Sequence, residues 1–189
     1  MESTDRKQEF LSTCLDTFIK KGLYATSVRD LSKALNLQAG AIYWWFKDKD
    51  DVVVSCAEEA AIRLERTLIT PALKDMRDPE RQMKSLKSRA DEMRPTMKFF
   101  ASVCTCEKYE EHLQPVLDRL AERYEKYARC FAEALNCDFD EVAPYVYFAI
   151  TTVTDYMIFG EAAYINPQIE MIKAAIKGFL KSNNEERTE

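Results

Sequence analysis

Glycine and proline are scarce in this 189-residue chain, at four and six, and histidine occurs once. So few breakers leave long stretches free to stay helical. A single His, with no Ser-His-Asp set and no glycine-rich phosphate loop, removes the side chains that hydrolytic and phosphoryl-transfer sites are built from. The carboxylates are scattered as on solvated helix faces, so the chain is not read as an enzyme and nothing in it asks for a cofactor or metal. Nowhere do 18 apolar residues run together, and the opening "MESTDRKQEFLSTCLDTFIKKG" has no basic stretch followed by an apolar one. No membrane partner and a cytoplasmic location are expected.

What is present is helix-forming. Apolar residues make up 47% and charged ones 31%, the balance of one globular domain or two small ones. Ala, Leu, Glu, Lys and Arg, which lose least on entering a helix, dominate long stretches, and the fold class is all-α. The net charge of −5 divides unevenly: residues 1–50 carry +1 and residues 51–189 carry −6. The first quarter is therefore the part least repelled by phosphate.

Spacing and punctuation predict about nine helices. The first covers about Arg6–Lys21, with Phe10, Leu11, Cys14, Leu15, Phe18 and Ile19 inward and Gly22 as its stop. The second starts at Ser27, where Ser27-Val28-Arg29-Asp30 reads as a capping box, with Val28, Leu31, Ala34 and Leu35 inward. Asn36 tolerates the left-handed conformation of a helix end, and a short third helix starts at Gln38. Asp48 starts the next, with Asp51 at its third position. Longer helices follow at about 49–75, 79–93, 95–107, 111–136, 139–163 and 167–182, parted by Asp78-Pro79, Arg94-Pro95, Asn136-Cys137-Asp138 and Asn166-Pro167. Pro144 falls inside an apolar stretch and should kink or delay its helix.

The segment "QAGAIYWWFKDKDD" sets Tyr43, Trp44, Trp45 and Phe46 side by side. Four consecutive large aromatics cannot all enter one core from one helix. With Ala41, Ile42, Trp45 and Phe46 inward, Tyr43 and Trp44 face out. A capped helix, a four-residue turn and a short second helix opening on Ala39, Gly40 and Ala41 have the layout of a helix-turn-helix, whose second helix needs small residues to enter the major groove. Gly40 would cost about 1 kcal/mol in a mere packing helix.

These residues, "TSVRDLSKALNLQAGAIYWWFKDKDDVV", resemble the DNA-binding signature of the TetR family of transcriptional regulators. The likeness spans roughly Phe10 to Val54 and rests on the spacings Thr26-x-x-Arg29-Asp30-Leu31 and Tyr43-x-x-Phe46-x-x-Lys49. It implies an N-terminal three-helix DNA-binding domain, 1–48, and a helical bundle, 49–189, that binds a small molecule and dimerises through its last two helices. Thr26, Ser27 and Arg29 would meet phosphates. Gln38, Ala39, Gly40 and Ala41 would face base edges, Tyr43 and Trp44 the backbone, and Lys49 a phosphate. Gln38 departs from the usual Ser or Thr cap and offers an amide able to pair with adenine. Trp44 stands where smaller polar or basic residues are commoner.

The function implied is a ligand-responsive regulator, a repressor released from a palindromic duplex operator by a small apolar or aromatic effector. Residues 95–165 are rich in aromatics, and a buried phenol needs a partner that a ligand can supply. Phe100, His112, Tyr124, Tyr127, Phe131, Asp155 and Tyr156 are the candidate ligand contacts. In the last helix Ile169, Ile172, Ile176 and Phe179 form an apolar stripe assigned to the homodimer interface. Two alternatives stand beside this: a metal- or redox-sensing regulator using Cys104 and Cys106 with His112 nearby, and a helical ligand-binding module without DNA recognition. The six cysteines are otherwise expected to be reduced and buried.

Overall fold

The computed structural model describes residues 2–38, 40–74 and 78–185. They form helices α1 (Glu2–Lys21), α2 (Val28–Ala34), α3 (Lys49–Leu64), α4 (Thr70–Lys74), α5 (Pro79–Cys104), α6 (Glu110–Leu135), α7 (Phe139–Phe159) and α8 (Ala162–Glu185). A 3₁₀ turn spans Ala41–Trp44, another Glu107–Tyr109, and a π-helical turn, Glu65–Ile69, joins α3 to α4 without a break. The described chain is all-α, and counting α3 to α4 as one rod leaves seven helical segments where about nine were expected.

Proline accounts for one of the two missing helices, and a 3₁₀ turn in place of the short third helix for the other. Pro95 was expected to separate two helices, yet α5 runs through it. The ring forfeits one backbone bond, to the Asp91 carbonyl, and packing on either side carries the helix across. Pro115, Pro144 and Pro167 each lie in the second turn of α6, α7 and α8, close to helix starts where few intrahelical bonds are at stake. The expected start of the last helix at 167 therefore moves back to Ala162. Gly160, at φ 80°, ends α7 in the left-handed conformation that an L side chain resists.

The chain divides into two units, Met1–Arg63 with Pro95–Leu117, and Leu64–Arg94 with Asp118–Glu189. The boundaries fall inside α5 and α6 and at the last residue of α3, one of them at Pro95.

In the first unit Phe10, Cys14, Leu15 and Phe18 of α1 are buried with Leu31, Ile42, Phe46, Val52 and Val53. Phe18 stacks on Phe99, with ring centroids 5.5 Å apart. On α2 the inward residues are Leu31 and Ser32, whereas Ala34, expected to be inward, is exposed.

In the second unit α7 packs on α8, and Tyr145 meets Phe179 edge-on with centroids 5.3 Å apart. Ile169, Ile172 and Ile176 are buried within this unit. This corrects their assignment to the dimer interface, because an amphipathic stripe is covered first by its own chain. Phe179 is half-buried and engaged with Tyr145 in the same way. The faces left open are Phe148, Thr151, Asp155 and Phe159 on α7, and Pro167, Met171 and Ala174 on α8. Among the described helices α7 is long and apolar enough to cross a membrane by length and composition. Of the cysteines, Cys14 and Cys56 are buried and the other four half-buried, all as free thiols.

Candidate nucleic-acid interface and ligand site

The reading segment is framed by caps that the sequence writes out. Gly22, at φ 92°, closes α1 with its amide 2.7 Å from the Phe18 carbonyl. Ser27 then opens α2: its hydroxyl accepts the Asp30 amide at 3.2 Å, and its own amide donates to the Asp30 carboxylate at 2.9 Å. Lys21 also pairs with Asp30, and this ammonium, ahead of the Ser27 bonds, holds the carboxyl well below the usual carboxylate range. At the far end Asn36 takes φ 54°, and Leu37 bonds back to the Ser32 carbonyl at 2.8 Å. This is the left-handed closure that Asn tolerates.

The segment after it departs from expectation. In place of a short helix from Gln38 there is a single 3₁₀ turn, Ala41–Trp44, preceded by Gly40 at φ 90° and ψ −17°. Gly40 is therefore not in a helix interior, and what requires glycine is the positive φ, since a Cβ there would meet nothing within 4 Å.

The turn sorts the aromatic run as the period predicts. Ile42 and Phe46 are 1% and 2% exposed, whereas Tyr43 and Trp44 are 51% and 88% exposed. Trp45 is half-buried, edge-on to Phe10 at 5.3 Å. Lys7 stands over the Phe46 ring at 5.5 Å.

Helix α3 begins with a second side-chain cap. Asp48 accepts the Asp51 amide at 2.9 Å, and Asp51 accepts the Lys47 amide at 2.8 Å. Lys49 follows, half-buried, its Nζ 3.5 Å from the Leu23 carbonyl. Asp50 accepts from Lys108 at 2.7 Å and from the Tyr109 hydroxyl at 3.1 Å. Lys108 is the main reason its carboxyl lies below the ordinary range.

Ser27, Arg29, Gln38, Gly40, Tyr43 and Trp44 are thus exposed, and Ala41 is half-buried. Ala39 lies outside the described residues. Thr26 is different. It is 1% exposed, and its hydroxyl donates to the Gly22 carbonyl at 2.7 Å. Its side chain serves the α1–α2 turn and cannot reach a phosphate, which corrects the expectation for it. Tyr24, 81% exposed on that turn, and the exposed Lys33 and Lys47 were missed. The signal was a lone aromatic between Gly22 and the Ser27 cap.

The ligand candidates are divided between the two units. Phe100 and His112 belong to the first unit, the others to the second. The Tyr127 phenol is already bonded to Glu65, which Arg123 also holds, and burial ahead of that bond pushes its pKa up. Tyr156 donates to Asp91. Both buried phenols therefore find their partners within the chain and are not left waiting for a ligand. Tyr124 and Phe131 are half-buried on α6. Asp155 and Tyr156 alone of the candidates line a cleft of about 430 Å³ between α7 and α8.

Cys104 and Cys106 are half-buried at the end of α5, and burial pushes the Cys104 thiol up to about 11. That opposes the thiolate that metal or redox chemistry uses. Cys106 accepts a long bond, 3.8 Å, from Tyr24. Among the described residues no three His, Cys, Asp or Glu side chains are grouped to hold a metal ion.

Comparison with known proteins bears on the same segment. Residues 10–56 match the family described as bacterial regulatory proteins, tetR family. The chain is 39% identical over 51 residues to the HTH-type transcriptional regulator AcrR of Shigella flexneri, a match covering 27% of this chain and 24% of AcrR. It thus spans about a quarter of the length of that curated relative.

Two solved structures share the fold over nearly the whole length. One is a putative TetR-family transcriptional regulator from Mesorhizobium loti, with TM-score 0.62, 14% identity, and 96% of this chain and 98% of that one covered. The other is the multidrug binding protein EbrR complexed with imidazole, with TM-score 0.56, 17% identity, and 92% and 94% covered. The matched segment, residues 10–56, is present here with both side-chain caps, the left-handed Gly40 and the outward Tyr43 and Trp44, and it is this segment by which the chain resembles the TetR family of bacterial regulatory proteins.

Proposed function

We propose that this chain is a DNA-binding transcriptional repressor that reads a palindromic operator as a homodimer and leaves it when a small molecule binds. The observation that carries the reading is the outward pair Tyr43 and Trp44, held on a turn whose other side chains, Ile42 and Phe46, are locked in the core. A side chain as apolar as Trp44, 88% exposed, is unexplained by folding and suited to the sugar edges and methyl groups of a duplex. Ser27, Arg29, Lys33, Lys47 and Lys49 supply phosphate contacts, and Gln38 with the backbone at Gly40 and Ala41 meets base edges.

The dimer is formed through α7 and α8, by the faces they leave open. Phe159 is 73% exposed, Met171 62% and Phe148 41%, more apolar surface than solvent tolerates without cost. A second copy set face to face gives a four-helix bundle and two equal reading heads, which is why the site is palindromic. Such a regulator acts in the cytoplasm. Ligand release follows from linkage, since an effector that prefers the DNA-incompetent state lowers operator affinity by its preference for that state.

A mobility-shift titration of full-length protein on randomised duplexes, repeated at two salt concentrations, tests the reading. Selection of an inverted repeat, with affinity falling steeply as salt rises, is expected. Indifference to DNA at low salt returns the chain to a ligand-binding module without DNA recognition.

A further inference from the structure

We propose that Cys14 and Cys56 are an oxidation site, a dithiol that a hydroperoxide closes into a disulfide between α1 and α3, weakening the hold of the reading head on DNA. Both residues belong to the first unit, both are 0% exposed, and both are free thiols. Cys56 Sγ donates to the Leu11 carbonyl at 3.8 Å. In an α-helix that carbonyl points into the next turn, where Cys14 sits. The two thiols are hydrogen-bonded to each other.

Polar contacts hold the seam between the two helices in register. Gln8 of α1 donates to Glu59 of α3, and Arg63 of α3 reaches Ser12 at 3.0 Å and Asp16 at 2.6 Å. Packing alone would be served at positions 14 and 56 by any small apolar residue. Two sulfurs set against each other add a chemistry that such residues lack.

The pair is polarised. Hydrogen bonding from Cys56 holds the Cys14 thiol below its ordinary value, whereas burial, ahead of the neighbouring Cys14, pushes Cys56 up. Cys14 is therefore the sulfur that ionises first and attacks. Its thiolate takes the terminal oxygen of the hydroperoxide and becomes a sulfenic acid, while the alkoxide expelled leaves as the alcohol. The Cys56 sulfur then displaces water from the sulfenic sulfur, closing the S–S bond. Two thiols and one hydroperoxide give one disulfide, one alcohol and one water; one thiol proton ends on the alcohol and the other on the water.

Burial supplies the gate. Neither sulfur meets solvent in the closed head, so the oxidant enters when α1 lifts locally from α3. In a protein that acts in the cytoplasm such a bond is transient and redox-sensing. Closure to a disulfide length of about 2.05 Å draws α1 toward α3, and Phe10 of α1 carries the edge-on contact, 5.3 Å, to Trp45 beside the reading turn. The loss of operator affinity follows from this pull, and that consequence rests on the regulator reading above.

The test uses the full-length protein with the half-buried Cys104, Cys106, Cys130 and Cys137 each replaced by serine. Cys14 and Cys56 are then its only thiols. Hydrogen peroxide should remove about 2 Da, join Cys14 to Cys56 in one peptide, and raise the melting temperature by about 5–10 °C. Affinity for the operator duplex should fall several-fold in mobility shift, and dithiothreitol should reverse every change. If the serine variant loses its helical circular dichroism, peptide mapping and mobility shift of the oxidised parent protein decide the same question. A gain of about 16 or 32 Da in place of the loss, a sample unchanged by millimolar peroxide, or a disulfide that leaves operator affinity intact would each overturn the proposal. Reduced protein indifferent to DNA overturns the regulator reading alone, and the mass and melting shifts then decide whether the pair is an oxidation site.

Discussion

The Tyr109 hydroxyl donates to Asp50 Oδ1 at 3.1 Å, so the first turn of α3, which carries Lys49, is tied to the turn that follows α5. Lys108 reaches the same oxygen at 2.7 Å. Tyr109 is 6% exposed, and one bond from a buried phenol to a carboxylate contributes about 1–3 kcal/mol. Tyr109→Phe should lower stability by that amount in urea titration. It should also weaken operator binding several-fold in mobility shift, since Lys49 is presented from the same turn.

The pair also has a pH signature. Burial, then the bond to Asp50, raises the Tyr109 phenol to about 12, against about 10 in an unfolded chain. A raised folded value stabilises fully below the unfolded pKa and is lost as pH climbs through the folded one. Asp50 shifts the opposite way, lowered chiefly by Lys108. Its contribution is present above about pH 4 and fades in acid. Urea midpoints measured between pH 9 and 12 should fall less steeply in Tyr109→Phe than in the parent. Tyr127, raised by burial and by Glu65, should leave part of the alkaline slope in place.

Gly40 separates strain from contact. Space around it is open, so Gly40→Ala costs only the left-handed backbone, about 1–2 kcal/mol. Gly40→Asn should recover most of that stability, because Asn tolerates the conformation. If both variants melted with the parent protein, the positive φ would not be what the site requires.

Neighbouring aromatics should divide cleanly. Trp44→Ala, at an 88% exposed position, should leave the melting temperature unchanged and lower DNA affinity roughly tenfold, about 1.4 kcal/mol. Phe46→Ala, at 2% exposure, should cost about 3–5 kcal/mol of stability. Equal effects of the two on stability would undo the inward and outward assignment.

A charge on the open face should part the dimer. Met171→Arg introduces a cation at a 62% exposed position, where a monomer tolerates it and a packed interface does not. Sedimentation should shift from two chains toward one, with the helical circular dichroism retained. Ile172→Ala, buried at 6%, should instead destabilise each protomer by about 2–5 kcal/mol.

Much of this was legible because it is local. Ser27 and Asp30 lie three residues apart and cap each other whatever surrounds them, and Asn36 ends a helix by its own tolerance. The outward turn of Tyr43 and Trp44 followed from period alone. What failed depended on distant partners. The stripe of Ile169, Ile172 and Ile176 was read as apolar, as it is, but no spacing says whether a stripe meets its own chain or another. Pro95 looks like a break from sequence, because the packing that carries α5 through it lies elsewhere in the chain. Gly40 looked like a small residue meant for a groove, since a positive φ leaves no mark in composition. Thr26 matched a motif position, and only the Gly22 carbonyl reveals that its hydroxyl is already engaged.

The unit that holds the reading turn is assembled from two separate stretches, since Phe18 of α1 stacks on Phe99 of α5, and Val103 and Leu113 are buried in the same unit. It follows that this head is not a detachable module. A graft of residues 1–63 onto another scaffold leaves Phe18 facing solvent, so a chimera that keeps operator specificity has to import 95–117 as well, with two splice sites inside helices instead of one in a loop. Substitution at the exposed Gln38 and Trp44 asks for no such import, because neither side chain is buried in this unit's core.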